Sequence, residues 1–153
     1  MLRPAVTADQ ADIRGLITAH PQSLLQQDEA WIARLIDDAD ARVLVWQRNG
    51  AFAGFSIIEP LYPHVVFLTN LALSQPGKGE GLALIRATLA VAFDEMHAHR
   101  LFCDIAFDNV AGLAAFERAG LVREGTMREC WLRDGVWVDC HAYSMLRREW
   151  KAA

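Results

Sequence analysis

Two dipeptides, Asn49-Gly50 in the first half of the chain and Asp134-Gly135 in the second, restrict the possible folds more than any other feature. A two-residue hairpin turn of the right twist needs positive φ at both central residues, which asparagine, aspartate and glycine tolerate. Strand-like runs flank each dipeptide: Arg42–Arg48 and Ala51–Ile58 around the first, Val122–Arg133 and Val136–Leu146 around the second. A chain with both hairpins is neither all-helical nor wholly parallel.

Between and before the hairpins the period changes. Thr7 and Gln10 have capping-box spacing ahead of Ile13, Leu16 and Ile17, a helix that ends near His20-Pro21. Asp28 caps a second helix carrying Trp31, Ile32, Leu35 and Ile36 on one face. Pro60 and Pro63 break the chain before a strand over Val65–Leu73. After the glycine-rich stretch Gln75–Gly81, a long helix carries Leu82, Ile85, Leu89, Phe93 and Met96 on one face. Leu101–Phe107 reads as a buried strand, and Asn109–Ala119 as a short helix stopped by Gly120. The order α-α-β-β-β-α-β-α-β-β describes a mixed α+β sheet with helices on its faces.

Composition sets the class. With 153 residues, 53% hydrophobic and 22% charged, the chain reads as one folded domain spanning 1–153. A net charge of −4 argues against a nucleic-acid partner. The apolar runs fall far short of the roughly 20 residues of a membrane span, and Asp9 and Asp12 interrupt any signal-peptide pattern. The expectation is a cytoplasmic protein without a membrane partner. Cys103, Cys130 and Cys140 lack metal-site spacing, so no metal is expected, and they read as reduced thiols.

The glycine stretch is the first candidate site. A strand, a glycine loop and a helix offer unpaired helix-start amides to an anion, with Lys78 adding positive charge. The Walker pattern fails because Gly79 follows Lys78, and the dinucleotide pattern fails because Gly77, Gly79 and Gly81 are evenly spaced. The residues alone leave a surface turn and an anion site equally open.

Further motifs carry a resemblance. Gly79 and Gly81 occupy the small-residue positions of the Gln/Arg-x-x-Gly-x-Gly/Ala loop of the GNAT superfamily of N-acetyltransferases. Asp108–Leu121 resembles the family's second motif, an Asn before a helix that ends in Gly plus an apolar residue. Glu124–Arg128, Arg133–Asp139 and Tyr143–Leu146 are similar to the ribosomal-protein N-acetyltransferase branch.

The resemblance implies a mostly antiparallel sheet, helices on both faces, a short first strand near Leu2–Val6 and a V-shaped splay between the two central strands. It implies acetyl-CoA as cosubstrate, with Leu71, Ala72 and Leu73 hydrogen-bonding pantetheine. It assigns the amides of Gly77, Lys78, Gly79, Glu80, Gly81 and Leu82 to the pyrophosphate, Asn109 to pantetheine, and Phe116 to a place beside the thioester. Two positions depart from the family pattern: Pro76 stands at the Gln/Arg position, and Phe116 stands where many relatives carry an acidic tyrosine.

The chemistry implied is attack of an amine on a thioester, which requires loss of a proton from the amine. Candidate groups are His64 for its intrinsic pKa, Asn70 (with Thr69) as a water-positioning group, Asp104 facing the acceptor, and Glu59 and Tyr62 near His64. The acceptor is a protein or peptide α-amine or a small amine. A catalytically weak acyl-CoA-binding module on the same fold is the competing reading, and a phosphate-binding turn in an unrelated scaffold the third. The C-terminal hairpin exposes edges through which a homodimer could form.

Overall fold

The computed structural model describes residues 1–151. Its seven strands are β1 (Leu2–Pro4), β2 (Arg42–Arg48), β3 (Ala51–Tyr62), β4 (Val65–Leu73), β5 (Arg100–Ala106), β6 (Val122–Arg133) and β7 (Val136–Leu146). They form one sheet in the order β1-β2-β3-β4-β5-β7-β6. All neighbours are antiparallel except β4 and β5. Helices α1 (Gln10–Ala19) and α2 (Glu29–Asp37) cover one face, and α3 (Gly81–Ala90) and α4 (Val110–Arg118) the other. This is the α+β architecture expected from the sequence. Among the described residues no helix is long and apolar enough to cross a membrane, and no group of three metal-ligating side chains forms.

Each face buries its own core. Ile13, Ile17 and Ile32 pack on Val43, Val45, Phe55 and Ile57, while Ile85 and Leu89 pack with Leu68, Leu101 and Tyr143 on the reverse side. Alternation along the strands separates the two sets, because successive side chains point to opposite faces. A buried hydrogen bond between the hydroxyls of Ser56 and Thr88, 2.8 Å long, fixes α3 on β3.

Both hairpin turns have the expected backbone, with φ of 53° and 80° at Asn49 and Gly50 and 51° and 76° at Asp134 and Gly135. Asp28 caps α2 by accepting from the Trp31 amide at 2.8 Å, and Gly120 takes φ 99° after α4.

Four local expectations are corrected. A short strand, β1, precedes the first helix, ending at Pro4 rather than Val6. The Thr7/Gln10 cap does not form: a single 3₁₀ turn leads into α1, and Asp9 accepts from the Val6 amide at 2.8 Å while pairing with Arg3 at 2.7 and 2.8 Å. Pro60 does not end its strand. β2 stops at the Arg42–Ile58 pair, so β3 has an open edge beyond it where a missing N–H costs nothing. The long helix is regular only to Ala90; Val91–Glu95 form a π turn, closed by the Met96 amide on the Val91 carbonyl at 2.9 Å. That wider turn seats Phe93 against Trp150, ring centroids 5.8 Å apart.

Gly54 on β3 has no room for a side chain beside β4. A Cβ there would collide with the Ala72 carbonyl and lie 3.0 Å from the Leu73 side chain. Gly54→Ala is therefore expected to lower stability by about 1–3 kcal/mol, read by denaturant titration. A second expectation concerns acid. Arg100, and then Ser144, hold the Glu124 carboxyl down to about 2. A depressed carboxyl contributes stability above its unfolded value, roughly 4.3, and loses it as pH falls toward about 2. Glu124→Gln should thus be less stable than wild type at pH 7, with the difference closing across that acid window.

Candidate functional site

The fork between β4 and β5 organises everything near it. The two strands pair only through Val65–Phe67 against Arg100–Phe102, and beyond those pairs they separate. β4 stays with β3, and β5 stays with β7. At the closed end the rings of Phe67 and Phe102 meet with centroids 4.9 Å apart. A bulge helps to open the fork: Ile57 pairs with Asn70 and Ile58 with Leu68, so Thr69 is the extra residue in β4. A bulge bends its strand and increases the local twist.

Leu71, Ala72 and Leu73 lie on the β4 arm beyond the bulge. Their pairing with β3 leaves the edge facing the fork without a strand partner. At the open end of this arm the chain enters the glycine loop. Gly77 and Gly79 take φ of 88° and 79°, conformations that favour glycine. A Cβ at Gly77, Gly79 or Gly81 would meet nothing within 4 Å, so the loop presents bare backbone to its front. Glu80 precedes α3 and its side chain makes no capping bond, so among the described residues the first amides of α3, at Gly81 and Leu82, keep their donors free. Lys78 is exposed and makes no ion pair among the described residues. An unpaired strand edge leading to a bare, amide-rich helix start suits an extended chain ending in a phosphate group.

On the other arm, Asn109 caps α4 by accepting from the Gly112 amide at 3.0 Å. Its Nδ2 makes no hydrogen bond among the described residues, so the donor remains available. Phe116 is 8% exposed and packs in the core with Ile105 and Leu121. Tyr143 gives its hydroxyl to Glu117 at 2.6 Å, and burial together with that carboxylate pushes its pKa up to about 12, which suits packing rather than acid catalysis.

Asp104 is the second residue past the last pair on β5, as Thr69 is on β4. By alternation from Phe102 it faces the α1–α2 side of the sheet, and it keeps a face to solvent. Partial burial raises its pKa above the ordinary carboxylate range. Thr69 donates its hydroxyl to Glu59 on β3. Two carboxylates and a hydroxyl thus flank the closed end of the fork on one face.

Two further expected residues are held by other partners. His64 occupies the β3–β4 turn with φ 64°, its Nδ1 3.2 Å from the His97 carbonyl oxygen. Thr69 is five residues further along β4, roughly 15 Å of strand at ~3.3 Å per residue, so His64 is not brought to the fork. Asn70 does reach it but is fully engaged. Its Oδ1 accepts from the Leu25 amide at 3.0 Å, and its Nδ2 donates to the Leu25 carbonyl and to Gln27, both at 3.1 Å. Asn70 thereby pins the α1–α2 connection. Cys103 is 2% exposed on the opposite face, and burial keeps its thiol protonated.

Sequence reasoning missed Arg133. Its side chain forks onto Asp108 at 2.9 and 2.6 Å and donates to the Gln22 carbonyl at 2.9 Å. Gln22 in turn donates to Asp134 at 2.5 Å. The hairpin tip, the end of β5 and the α1–α2 connection meet there. The charges of Arg133 and Asp108 are visible in the sequence; their meeting with Gln22, more than 100 residues from Arg133, is not.

Comparison with known proteins agrees with this layout. The family model for the acetyltransferase (GNAT) family matches residues 9–121. A Bacillus subtilis (strain 168) protein named as a ribosomal N-acetyltransferase is 35% identical over 75 residues, covering 49% of this chain and 41% of its own length. A spermidine N(1)-acetyltransferase of Vibrio cholerae is 24% identical over 132 residues, 84% of this chain and 76% of that one. The chain therefore spans less than half of the first relative. Among solved structures, a Vibrio cholerae spermidine N-acetyltransferase in complex with CoA and spermine superposes with TM-score 0.84 at 18% identity, over 97% of this chain and 96% of that one. A Brucella melitensis ribosomal-protein-alanine N-acetyltransferase gives TM-score 0.78 at 21% identity, over 95% and 99%.

Asn70→Ala should lower stability by about 1–3 kcal/mol, because backbone groups of Leu25 lose their partners. Amide exchange should rise selectively across residues 21–28, and a uniform rise over the whole sheet would contradict the local role.

Proposed function

The chain belongs to the acetyltransferase (GNAT) family, and from that premise we propose that it transfers the acetyl group of acetyl-CoA to a primary amine presented at the fork. The observation that carries the reading is the pairing of a bare glycine loop at the open end of β4 with Asp104 near the closed end on β5. The site fits the cosubstrate. The free edge of Leu71–Leu73 would take the pantetheine amides, Gly77–Leu82 the pyrophosphate, and the Asn109 amide group a pantetheine carbonyl. Phe116 lends the core wall beneath them.

This arrangement sets the thioester near the bulge, between Thr69 and Asp104. The acceptor nitrogen attacks the thioester carbon, the N–C bond forms and the C–S bond breaks. Asp104 takes the proton that the nitrogen sheds, and the sulfur leaves as a thiolate that is protonated by solvent. No side-chain acid is needed, since a thiol of pKa near ~8.5 leaves readily, and holding the partners together supplies much of the acceleration.

The acceptor class follows from charge. Glu59 and Asp104 are carboxylates on the acceptor face, and Asp108 is neutralised by Arg133. They favour a small amine that carries further positive charge, as spermidine does in the Vibrio cholerae relative. A peptide α-amine is the second reading, supported by the similarity to the protein named for ribosomal acetylation. We place the enzyme in the cytoplasm, consistent with its free cysteines, and a homodimer would use the free edge of β6.

Thiol release from acetyl-CoA across a panel of polyamines, amino sugars and peptides tests the reaction; CoA binding without release would favour a non-catalytic module. Asp104→Asn should lower kcat by about 100- to 1000-fold. Wild type should show one pH limb that moves with the acceptor's own pKa and a second, fixed limb displaced upward from the ordinary carboxylate value. The fixed limb should vanish in Asp104→Asn and persist in His64→Ala.

A further inference from the structure

Glu80 poses a problem for an anion site. It occupies the position before α3, where the helix dipole favours negative charge and where a carboxylate would compete with a diphosphate for the same amides. Its side chain does not turn to those amides. Arg48, at the end of β2 beside the Asn49-Gly50 turn, holds it: Nε donates to Glu80 Oε1 at 3.0 Å and Nη2 to Oε2, with both side chains about one-quarter exposed. The third donor of the same guanidinium, Nη1, reaches Gln75 Oε1 at 3.1 Å. One side chain from a distant strand therefore grips both ends of the glycine loop. Gln75 and Glu80 lie on either side of Gly77 and Gly79, the two residues with positive φ. Pro76 meanwhile fills the position where the loop motif has a polar Gln or Arg, so the loop's brace comes from outside the loop.

We propose that Arg48 is a positioning residue for the diphosphate of acetyl-CoA: it draws the Glu80 carboxylate away from the start of α3 and fixes the loop so that its amides stay open to the anion. The proposal rests on the assignment of Gly77–Leu82 to the pyrophosphate. Arg48 here neither touches the reacting atoms nor moves a proton. Its effect is electrostatic and specific to the phosphate-bearing part of the ligand, which separates it from a general role in folding. Freed from Arg48, the Glu80 carboxylate would sit within several ångströms of a doubly charged group, where like charges repel even at the surface.

The test is calorimetric titration of CoA and of pantetheine against wild type, Arg48→Ala, Glu80→Gln and the double variant. Arg48→Ala should weaken CoA about five- to tenfold while changing pantetheine about twofold or less. Adding Glu80→Gln to Arg48→Ala should recover most of the CoA affinity, because the repelling charge is gone. Equal weakening of both ligands, or no recovery in the double variant, would overturn the proposal and leave Arg48 a structural brace. If Arg48→Ala does not fold, Arg48→Lys, which keeps the charge but loses the three-way grip, should show a smaller CoA-selective loss that Glu80→Gln again relieves; an unselective loss counts against the proposal. Wild type binding pantetheine as tightly as CoA would instead sink the pyrophosphate assignment itself, and the proposal with it.

Discussion

Three residue pairs hold the two halves of the sheet together at its centre, Val65, Val66 and Phe67 against Arg100, Leu101 and Phe102. The chemistry of the molecule depends on how short that junction is. A longer parallel ladder would consume the backbone groups of Leu71–Leu73 and close the space in which Asp104 stands. A shorter one would leave β5, β6 and β7 attached mainly through α3 and α4. The Phe67–Phe102 contact sits at the last pair and marks where pairing stops, and the bulge at Thr69 turns β4 away immediately afterwards. The site is built from what the sheet gives up there.

Proton transfer takes its character from the same geometry. The position on α4 where relatives carry an acid is the buried Phe116, and the nearby phenol, Tyr143, is bound to Glu117 and pushed to about 12. On the fork itself stands Asp104, whose pKa partial burial raises. Departure of a thiolate asks little of a protein, whereas deprotonating an amine asks more, and the proposed chemistry needs only one group to take that proton.

What could be read from the sequence was what is encoded locally. Asn49-Gly50, Asp134-Gly135, the Asp28 and Asn109 caps and the glycine loop all act within a few residues, and each is legible in the sequence. The Thr7/Gln10 cap was misread because Arg3, brought in by β1, captures Asp9 and shifts the helix start. Pro60 was misread because its tolerance depends on where β2 happens to stop. The surroundings of His64 and Asn70 are not legible for one reason: neither the span of β4 nor the approach of Leu25 is written near those residues. Arg48 with Glu80, and Arg133 with Gln22, join segments 32 and 111 residues apart and had no local trace at all.

Those last contacts have a mechanical side. Beyond Phe67 and Phe102 the arms of the fork share no hydrogen bonds with each other, yet they are joined again on the acceptor face. The path runs from Asn70 to Leu25, along the chain to Gln22, across to Arg133 and back to Asp108 at the end of β5. The opening is therefore a closed hoop, not a gaping cleft. A group that spread the strands from one side would load that hoop, and anything entering from the other side would meet the same constraint. Two ligands that never touch would share one frame.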